Sequence, residues 1–364
     1  MTGPDPSPED SGAADEPRPD AEPEVSADQL SLTRRLRQPR TIISLVVPIV
    51  LLVLFVRSLP GFHLDELPDK ILGANFGMLL LALVIFYAGF PLRGLRWAIL
   101  VRRTGYRLGV RDASEIIFLS WLVNCLVPAK LGDVYRAYLL KINTSVSLSR
   151  TFGTVFIERV LDLFAIVGLA LAAGFVSFRS GLPPEIQLVF VIGIAIVVLL
   201  GIGLLTLRNF GRRIIVRLPV PARIVEFYDR FEEGVFSSLD LRALPGLIFI
   251  TGLIWATEAT RLYVVVLALG LPDVHIGISG AFFIALAASL LTAIPITPAG
   301  LGFVEGAVVG LLTLAYGVPQ TEALAITVVD RTISVLTIIV LGAIFYAVSS
   351  KRRGTGLTEQ PESA

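Results

Sequence analysis

The chain is poor in the residues that build chemical centres in soluble enzymes. It contains one cysteine, Cys125, and two histidines, His63 and His275, in 364 residues. A single cysteine excludes an internal disulfide, and two histidines exclude a histidine-rich metal site. No Ser/His/Asp arrangement, nucleotide-binding glycine loop or metal-ligand spacing occurs, so we expect no catalytic residues, no metal and no cofactor. The formal net charge is only +1, so no nucleic-acid partner is expected.

Charged residues are also scarce, and apolar residues take their place. Hydrophobic residues make up 54% of the chain and charged residues 17%. Segments long enough to cross a bilayer as helices occur at residues 41–59, 74–92, 152–178, 186–207, 244–269 and 323–348. The sequence therefore predicts an all-α polytopic membrane protein.

The distribution of basic residues predicts the orientation of the chain. Residues 1–40 form an acidic tail, expected to be disordered, that ends in a basic juxtamembrane segment. A second basic loop begins at Arg93 and Arg96, where Trp97 is placed as an interfacial anchor, and residues 351–364 form a short tail. Because basic loops stay inside, we expect both termini to be cytoplasmic and the protein to lie in the plasma membrane. Residues 224–235 are expected to form an amphipathic helix on the membrane surface.

One polar pattern occurs twice in the apolar part of the chain. The sequence LVPAKLGDV at residues 126–134 returns as ITPAGLGFV at residues 296–304, and an acid–arginine pair follows each copy. The offsets lie between 168 and 172 for the aligned pairs Arg93 and Arg261, Pro128 and Pro298, Gly132 and Gly302, Glu158 and Asp330, and Arg159 and Arg331. A nearly constant offset over this length indicates an internal duplication.

The segments near each copy are apolar but broken. If residues 114–128 crossed the membrane fully, every later basic loop would lie outside, against the positive-inside rule. A re-entrant hairpin avoids this, and the second broken pair, 281–296 and 303–316, then enters from the opposite side. The predicted fold is an inverted-topology repeat within residues 41–350, with repeat one at 41–178 and repeat two at 186–348. It has about six full transmembrane helices plus two broken re-entrant hairpins, or up to eight spans if the second hairpin crosses fully.

Broken segments in corresponding positions of two repeats point to a transport site. We expect Gly132 to allow a sharp turn and Asp133 to cap the helix that starts there, whose N-terminus would suit a phosphate or carboxylate. The alternative for each break is a helix kink packed against its neighbours. Ionisable residues at membrane depth are costly, so the arginines either bind a lipid phosphate in a hydrated cavity or form structural ion pairs. The candidate residues for lipid binding or translocation are Arg93, Asn124, Pro128, Gly132, Asp133, Arg136, Glu158, Arg159, Asp162, Glu258, Arg261, Pro298, Gly300, Gly302, Glu305, Asp330 and Arg331.

These motifs together resemble a known family. The resemblance is carried by Asn124-x3-Pro128-x3-Gly132-Asp133-x2-Arg136, Glu158-Arg159-x2-Asp162, Pro295-x-Thr297-Pro298-x-Gly300-x-Gly302-x2-Glu305 and Arg331. This set is similar to the flippase-like membrane region of lysylphosphatidylglycerol synthases, the multiple peptide resistance factors.

The resemblance implies lipid flipping as the function. Because the chain ends soon after Arg353, we expect no aminoacyltransferase domain and no synthase activity. The expected function is translocation of a phospholipid or polyprenyl-phosphate-linked lipid, with an anionic headgroup as the partner. Two alternatives remain open, an accessory membrane subunit of a lipid- or glycan-modifying enzyme and an embedded enzyme that modifies lipid headgroups. A homo-oligomer and a complex with a separate enzyme also remain open.

Overall fold

The structure is a computed structural model that describes residues 66–127, 130–144, 146–178, 184–217, 219, 221–238, 242–292 and 297–353. Within these ranges all regular secondary structure is helical. The helices are α1 (Leu67–Leu72), α2 (Phe76–Arg102), α3 (Val110–Leu126), α4 (Leu131–Asn143), α5 (Leu148–Ser177), α6 (Pro184–Arg217), α7 (Ala222–Ser238), α8 (Leu244–Leu269), α9 (Ile278–Leu291), α10 (Phe303–Tyr316), α11 (Gln320–Arg331) and α12 (Thr337–Val348). The predicted tail 1–40, residues 354–364 of the predicted tail 351–364, the first predicted span and Pro128 lie outside the described residues.

Five helical segments of the described chain are long and apolar enough to cross a membrane. They are α2, α5, α8, the segment Pro298–Tyr316, and Gln320–Val348, which joins α11 to α12. Helix α6 adds a shorter apolar centre, Val191–Leu204. These segments confirm the prediction of an all-α polytopic membrane protein.

The equivalent helices α2 and α8 of the two repeats pack antiparallel. Near the start of α2, the Asn75 N–H donates to the carbonyl of Ala268 at the end of α8, at 2.7 Å. Further along α2, Arg96 donates to Thr251, close to the start of α8, at 3.0 Å. The contacts move toward the C-terminus of α2 as they move toward the N-terminus of α8, so the two helices are antiparallel. The two copies of this element therefore run in opposite directions, as an inverted repeat requires.

Each repeat also packs its first hairpin helix against the last span of the other repeat. In one pair, α3 lies against α12, with the Phe118 and Phe345 ring centroids 5.5 Å apart and Ser349 donating to Glu115 at 2.6 Å. In the equivalent pair, α9 lies against α5, and the ring centroids of Phe178 and Phe283 are 5.6 Å apart. Because a hairpin helix contacts the last span of the other repeat in both cases, the two repeats are related by approximate two-fold symmetry.

The hairpin helices are shorter than the hydrocarbon core. Helix α3 has 17 residues, α4 has 13, and α9 and α10 have 14 each. At 1.5 Å per residue they span about 20 to 26 Å, against a hydrocarbon thickness of about 30 Å. The 3₁₀ turn before α10, Pro298–Gly300, contains a left-handed residue, Ala299 at φ +52°. The lengths of α3 and α4 favour a re-entrant first hairpin, whereas in the second hairpin α10 with its preceding turn, Pro298–Tyr316, is long enough to cross the membrane.

Two details differ from the predicted boundaries. Helix α2 continues ten residues past the predicted end of its span, so Arg93, Arg96 and Trp97 are buried in the protein and not in a loop. Trp97 is fully buried and donates to Thr154 at 3.3 Å, so its placement as an interfacial anchor was wrong. The last span contains a π-helical turn, Thr332–Leu336, whereas the equivalent helix α5 is α-helical throughout.

Helix α7 packs on α5 through paired glycines. A Cβ at Gly234 would lie 2.3 Å from the Arg150 carbonyl oxygen, and one at Gly153 would lie 2.5 Å from that of Phe231. Only part of the predicted amphipathic face is buried here, including Val235, while Ile224 and Phe227 remain exposed. Helix α7 is therefore held partly by protein contacts.

Candidate functional site

A cavity of about 200 Å³ lies between the two hairpins and the long helices α2, α5, α8 and the last span. Its wall combines apolar residues with an unusual number of ionised groups. Its cationic residues are Arg93, Arg96, Lys130, Arg136, Arg159, Arg261 and Arg331, and its acidic residues are Glu158, Asp162, Glu258 and Asp330. Two further carboxylates, Asp133 and Glu305, bind arginines of this set.

A first buried network joins α2, α4 and α5. Glu158 accepts from Arg96 at 2.7 Å and from Arg136 at 2.5 Å, and Arg96 also donates to Asp162 at 2.6 Å. The guanidinium of Arg136 lies 4.8 Å from the centroid of the Trp97 ring. Glu158 and Asp162 lie one helical turn apart on α5, so one face presents both carboxylates to Arg96.

A second buried network joins α2, α8 and the last span. Arg93 donates to Glu258 at 2.6 Å, and Glu258 also accepts from Arg261. Arg261 forms a bidentate pair with Asp330, at 2.8 and 3.0 Å. Bidentate arginine–carboxylate pairs fix both partners in orientation as well as in distance. The second network ties the repeats together through Arg93 and Glu258, whereas the ion pairs of the first lie within repeat one.

A third arrangement occurs once at each break, and the two copies are equivalent. Arg159 binds both oxygens of Asp133, at 2.9 and 2.6 Å, and Arg331 binds Glu305 at 2.6 Å. In each pair the arginine follows its carboxylate by 26 residues. The side chain of Arg159 is 35% exposed and that of Arg331 is 16% exposed, against 2 to 8% for the arginines of the buried networks. Arg159 and Arg331 are therefore the most exposed arginines of the cavity wall.

The geometry of the first break corrects the predicted roles of two residues. The left-handed residue is Lys130, at φ +51°, and Gly132 lies inside α4. Gly132 is needed for close packing, because a Cβ there would lie 2.0 Å from the Ser120 carbonyl oxygen. Its N–H donates to Asn124 at 2.8 Å, and Asp133 binds Arg159 where a helix cap was predicted.

The second break uses three residues with positive φ, Ala299, Gly300 and Gly302. The N–H of Gly302 donates to Glu305 at 2.6 Å, and Arg331 also donates to the carbonyl of Ala299 at 2.6 Å. Each helix after a break begins with a residue of positive φ, Lys130 before α4 and Gly302 before α10. Lys130 and Gly302 therefore hold equivalent places relative to the helices that follow them, although the sequence alignment pairs Lys130 with Gly300, which also has a positive φ.

The structure brings most of the predicted site residues together. Those that line the cavity are Arg93, Asn124, Arg136, Glu158, Arg159, Asp162, Glu258, Arg261, Gly300, Asp330 and Arg331. Those that support the wall from behind are Gly132, Asp133, Pro298, Gly302 and Glu305. Their assignment to lipid binding remains a prediction.

Sequence reasoning missed four residues of the cavity wall. Arg96 was assigned to a loop, although its position one turn after Arg93 could have placed both on one helix face. Lys130, Trp121 and Trp255 also line the cavity, and Trp255 donates to Asp162 at 3.0 Å. The described residues contain no group of three or more histidine, cysteine, aspartate or glutamate side chains that could hold a metal ion.

The fold and the cavity define a class, that of polytopic α-helical membrane proteins with a charged site at the meeting point of two broken hairpins. Within this class the chain belongs to the family of the lysylphosphatidylglycerol synthase TM region, whose sequence model matches residues 41–342. This membership confirms the resemblance carried by the sequence motifs.

The relatives include proteins of similar extent and one longer protein. A UPF0104 membrane protein of Methanocaldococcus jannaschii is 38% identical over 226 residues, which cover 62% of this chain and 93% of the relative. One from Methanothermobacter thermautotrophicus is 31% identical over 297 residues, covering 75% and 83%. Glycosyltransferase AglD of Haloferax volcanii is 28% identical over 345 residues, covering 85% of this chain and 54% of that protein. The chain thus spans about half the length of AglD.

Proposed function

We propose that the protein moves a lipid with an anionic headgroup, either a phospholipid or a polyprenyl-phosphate-linked lipid, between the leaflets of the plasma membrane. One observation carries the proposal: two equivalent hairpins enclose a cavity in which Arg159 and Arg331 are accessible. Both arginines are held in place by a carboxylate and still present part of their side chains to the cavity. This arrangement suits a phosphate that is bound and then released.

The physical task of such a protein is to lower a desolvation barrier. A charged headgroup loses its water in the hydrocarbon core, at a high cost in free energy. Guanidinium groups replace that water with directed hydrogen bonds, and they match the geometry of phosphate oxygens. The acyl or prenyl chains stay in the surrounding lipid throughout. No covalent step is needed, which agrees with the absence of recognisable catalytic motifs in the sequence.

The direct test is lipid movement in proteoliposomes. Purified protein should accelerate the loss of fluorescence when dithionite is added to vesicles containing a fluorescent anionic lipid. Arg159→Ala and Arg331→Ala should abolish the acceleration but leave a folded protein. Arg159→Lys should restore little activity, because a lysine ammonium group does not reproduce the paired hydrogen bonds of a planar guanidinium. Arg212→Ala is the matched control, since its pair with Asp229 is exposed. Quenching identical to that of empty vesicles for phosphatidylglycerol, its aminoacylated form and polyprenyl-phosphate carriers would contradict the proposal.

The proposal includes an orientation in which both termini are cytoplasmic. In a Cys125→Ser background, an impermeant thiol reagent added to intact cells should label Asp65→Cys and leave Arg217→Cys unlabelled. The reverse pattern would contradict the orientation and the side from which each hairpin is entered. Permeabilised cells give the control, because both positions should then react.

A second candidate function is that of an accessory membrane subunit for a lipid- or glycan-modifying enzyme. The observation that favours it is the match to AglD, in which a region similar to this chain makes up about half of a protein named as a glycosyltransferase. A protein that moves no lipid alone but copurifies with an enzyme, and whose loss lowers that enzyme's activity in membranes, would support this function.

A further inference from the structure

Lys130 differs from every other cation of the cavity wall. The six arginines that line the cavity each have a carboxylate within salt-bridge distance. Lys130 has no such partner among the residues that the structure describes, although it lies in the same wall. The nearby charged groups that act on it are the cation Arg159 and the carboxylates of Asp133 and Asp162, both of which already bind Arg159. Among the described residues, Lys130 is therefore the cation of this wall that has no carboxylate of its own.

The number of charged residues at the site also indicates one cation in excess. The wall has seven cations, and the carboxylates that line it or bind its arginines number six. The residues within the two breaks that lie outside the description are Pro128, Ala129 and 293–296, and by sequence none of them is charged. The cavity thus has one excess positive charge at a depth where an unpaired ion is costly. A bound group with one negative charge would make the site neutral.

The backbone at Lys130 gives no reason for a lysine. Its φ of +51° is the left-handed conformation that glycine adopts most easily, and the equivalent position before α10 is Gly302. A lysine there is less favourable than glycine, because in this conformation its Cβ lies close to the following carbonyl oxygen. The first break therefore has a charged side chain where backbone geometry alone favours glycine.

We propose that Lys130 and Arg159 form the anion-binding part of the cavity, and that they select a headgroup with one net negative charge, such as a phosphodiester with an uncharged substituent. This deepens the proposed function and rests on it for the nature of the ligand. A zwitterionic phospholipid keeps the phosphodiester but adds a cation, and lysyl-phosphatidylglycerol adds two and has a net positive charge. Both would place a positive group into a site that already has one in excess. The selected lipid is thus the unmodified anionic one.

Binding can be measured without transport, because Trp121 and Trp255 line the cavity and report on its occupation. Purified protein in detergent is titrated with short-chain phosphatidylglycerol, phosphatidylcholine, lysyl-phosphatidylglycerol and inorganic phosphate, with tryptophan fluorescence as the signal. The wild-type protein should prefer phosphatidylglycerol. Lys130→Gly should weaken that binding by about tenfold to a hundredfold, the range for losing one hydrogen bond to a charged group.

The variants separate charge from folding. Lys130→Gly copies the second break and suits the left-handed backbone, so its melting temperature should not fall. Lys130→Asn is a second neutral variant that tolerates this conformation, and Lys130→Arg should keep the preference. Equal affinity of wild type and Lys130→Gly for phosphatidylglycerol would overturn the proposal. Binding of inorganic phosphate with the same affinity and the same dependence on Lys130 would overturn the assignment of the ligand as a lipid.

The outcome is distinct from that of the transport assay. A protein that binds phosphatidylglycerol selectively but moves no lipid contradicts the proposed function and supports the anion site. A protein that moves phosphatidylglycerol, phosphatidylcholine and lysyl-phosphatidylglycerol equally well, with or without Lys130, contradicts the anion site alone.

Discussion

Replacing Glu158 by glutamine tests whether the buried networks hold the fold. Glu158 is 2% exposed and accepts from both Arg96 and Arg136. Arg96 keeps Asp162 in the variant, but Glu158 is the only carboxylate that pairs with Arg136 in the described part of the chain. The variant leaves a buried guanidinium without a counter-ion, which destabilises by about 3 to 5 kcal/mol. We expect Glu158→Gln to lower the melting temperature sharply in detergent.

The control is the same substitution in an exposed pair. Glu233 binds Arg150 with its side chain 54% exposed, so Glu233→Gln should cost about 1 kcal/mol or less. A second test removes the unpaired cation as well. The double variant Glu158→Gln with Arg136→Met should be more stable than Glu158→Gln alone, because a methionine can pack where a guanidinium would lack a partner. Equal melting temperatures for Glu158→Gln and Glu233→Gln would refute the structural role of this network.

Three further substitutions address the hairpins and α7. Gly132→Ala should displace α4 from α3 and slow lipid movement, because its methyl group would lie 2.0 Å from the Ser120 carbonyl oxygen, while Gly306→Ala, which meets open space, should behave as wild type in the same assay. Gly234→Ala should destabilise by about 1 to 3 kcal/mol and make α7 more accessible to limited proteolysis, because its methyl group would overlap a backbone carbonyl of α5. Pro298→Ala should slow dithionite-detected lipid movement by letting the 3₁₀ turn before α10 straighten, and an unchanged rate would exclude this role.

The sequence allowed the membrane class and the pairing of repeats to be predicted because both depend on periodic or repeated signals. The length of an apolar segment identifies a membrane span without knowledge of the helices around it. A repeated offset near 170 aligns Glu158 with Asp330 without knowledge of the fold.

The arrangement of the site was harder to predict because it depends on contacts distant in the chain. Arg96 meets Glu158 across 62 residues, and its burial follows from α2 continuing beyond its apolar segment. Arginines at the end of an apolar run indicate a loop in most membrane proteins. Here α2 continues inside the protein because Arg96 pairs with Glu158 and Asp162 on another helix, and the sequence of α2 alone does not show these partners.

The two breaks show a second limit. Matching letters aligned Gly132 with Gly302, but a glycine serves different needs at the two positions. The first glycine allows close packing of α4 on α3, and the second allows a positive φ. The amino-acid type does not determine the backbone conformation, so the structure was needed to show that Lys130 and Gly302 hold equivalent places before α4 and α10.

The antiparallel relation of α2 and α8 has a thermodynamic consequence. Two halves related in this way can exchange their conformations, and the exchange converts an opening toward one side of the membrane into an opening toward the other. Halves of identical sequence would give the two openings equal free energies and equal populations. A bias of about 1.4 kcal/mol makes one opening ten times more populated. The two halves of this chain differ in sequence and in structure, for example at Lys130 before α4 and Gly302 before α10 and in the π-helical turn of the last span. Under the proposed function, the two openings would therefore differ in free energy. The side that the empty cavity faces at rest would then be set by the sequence differences between the two halves.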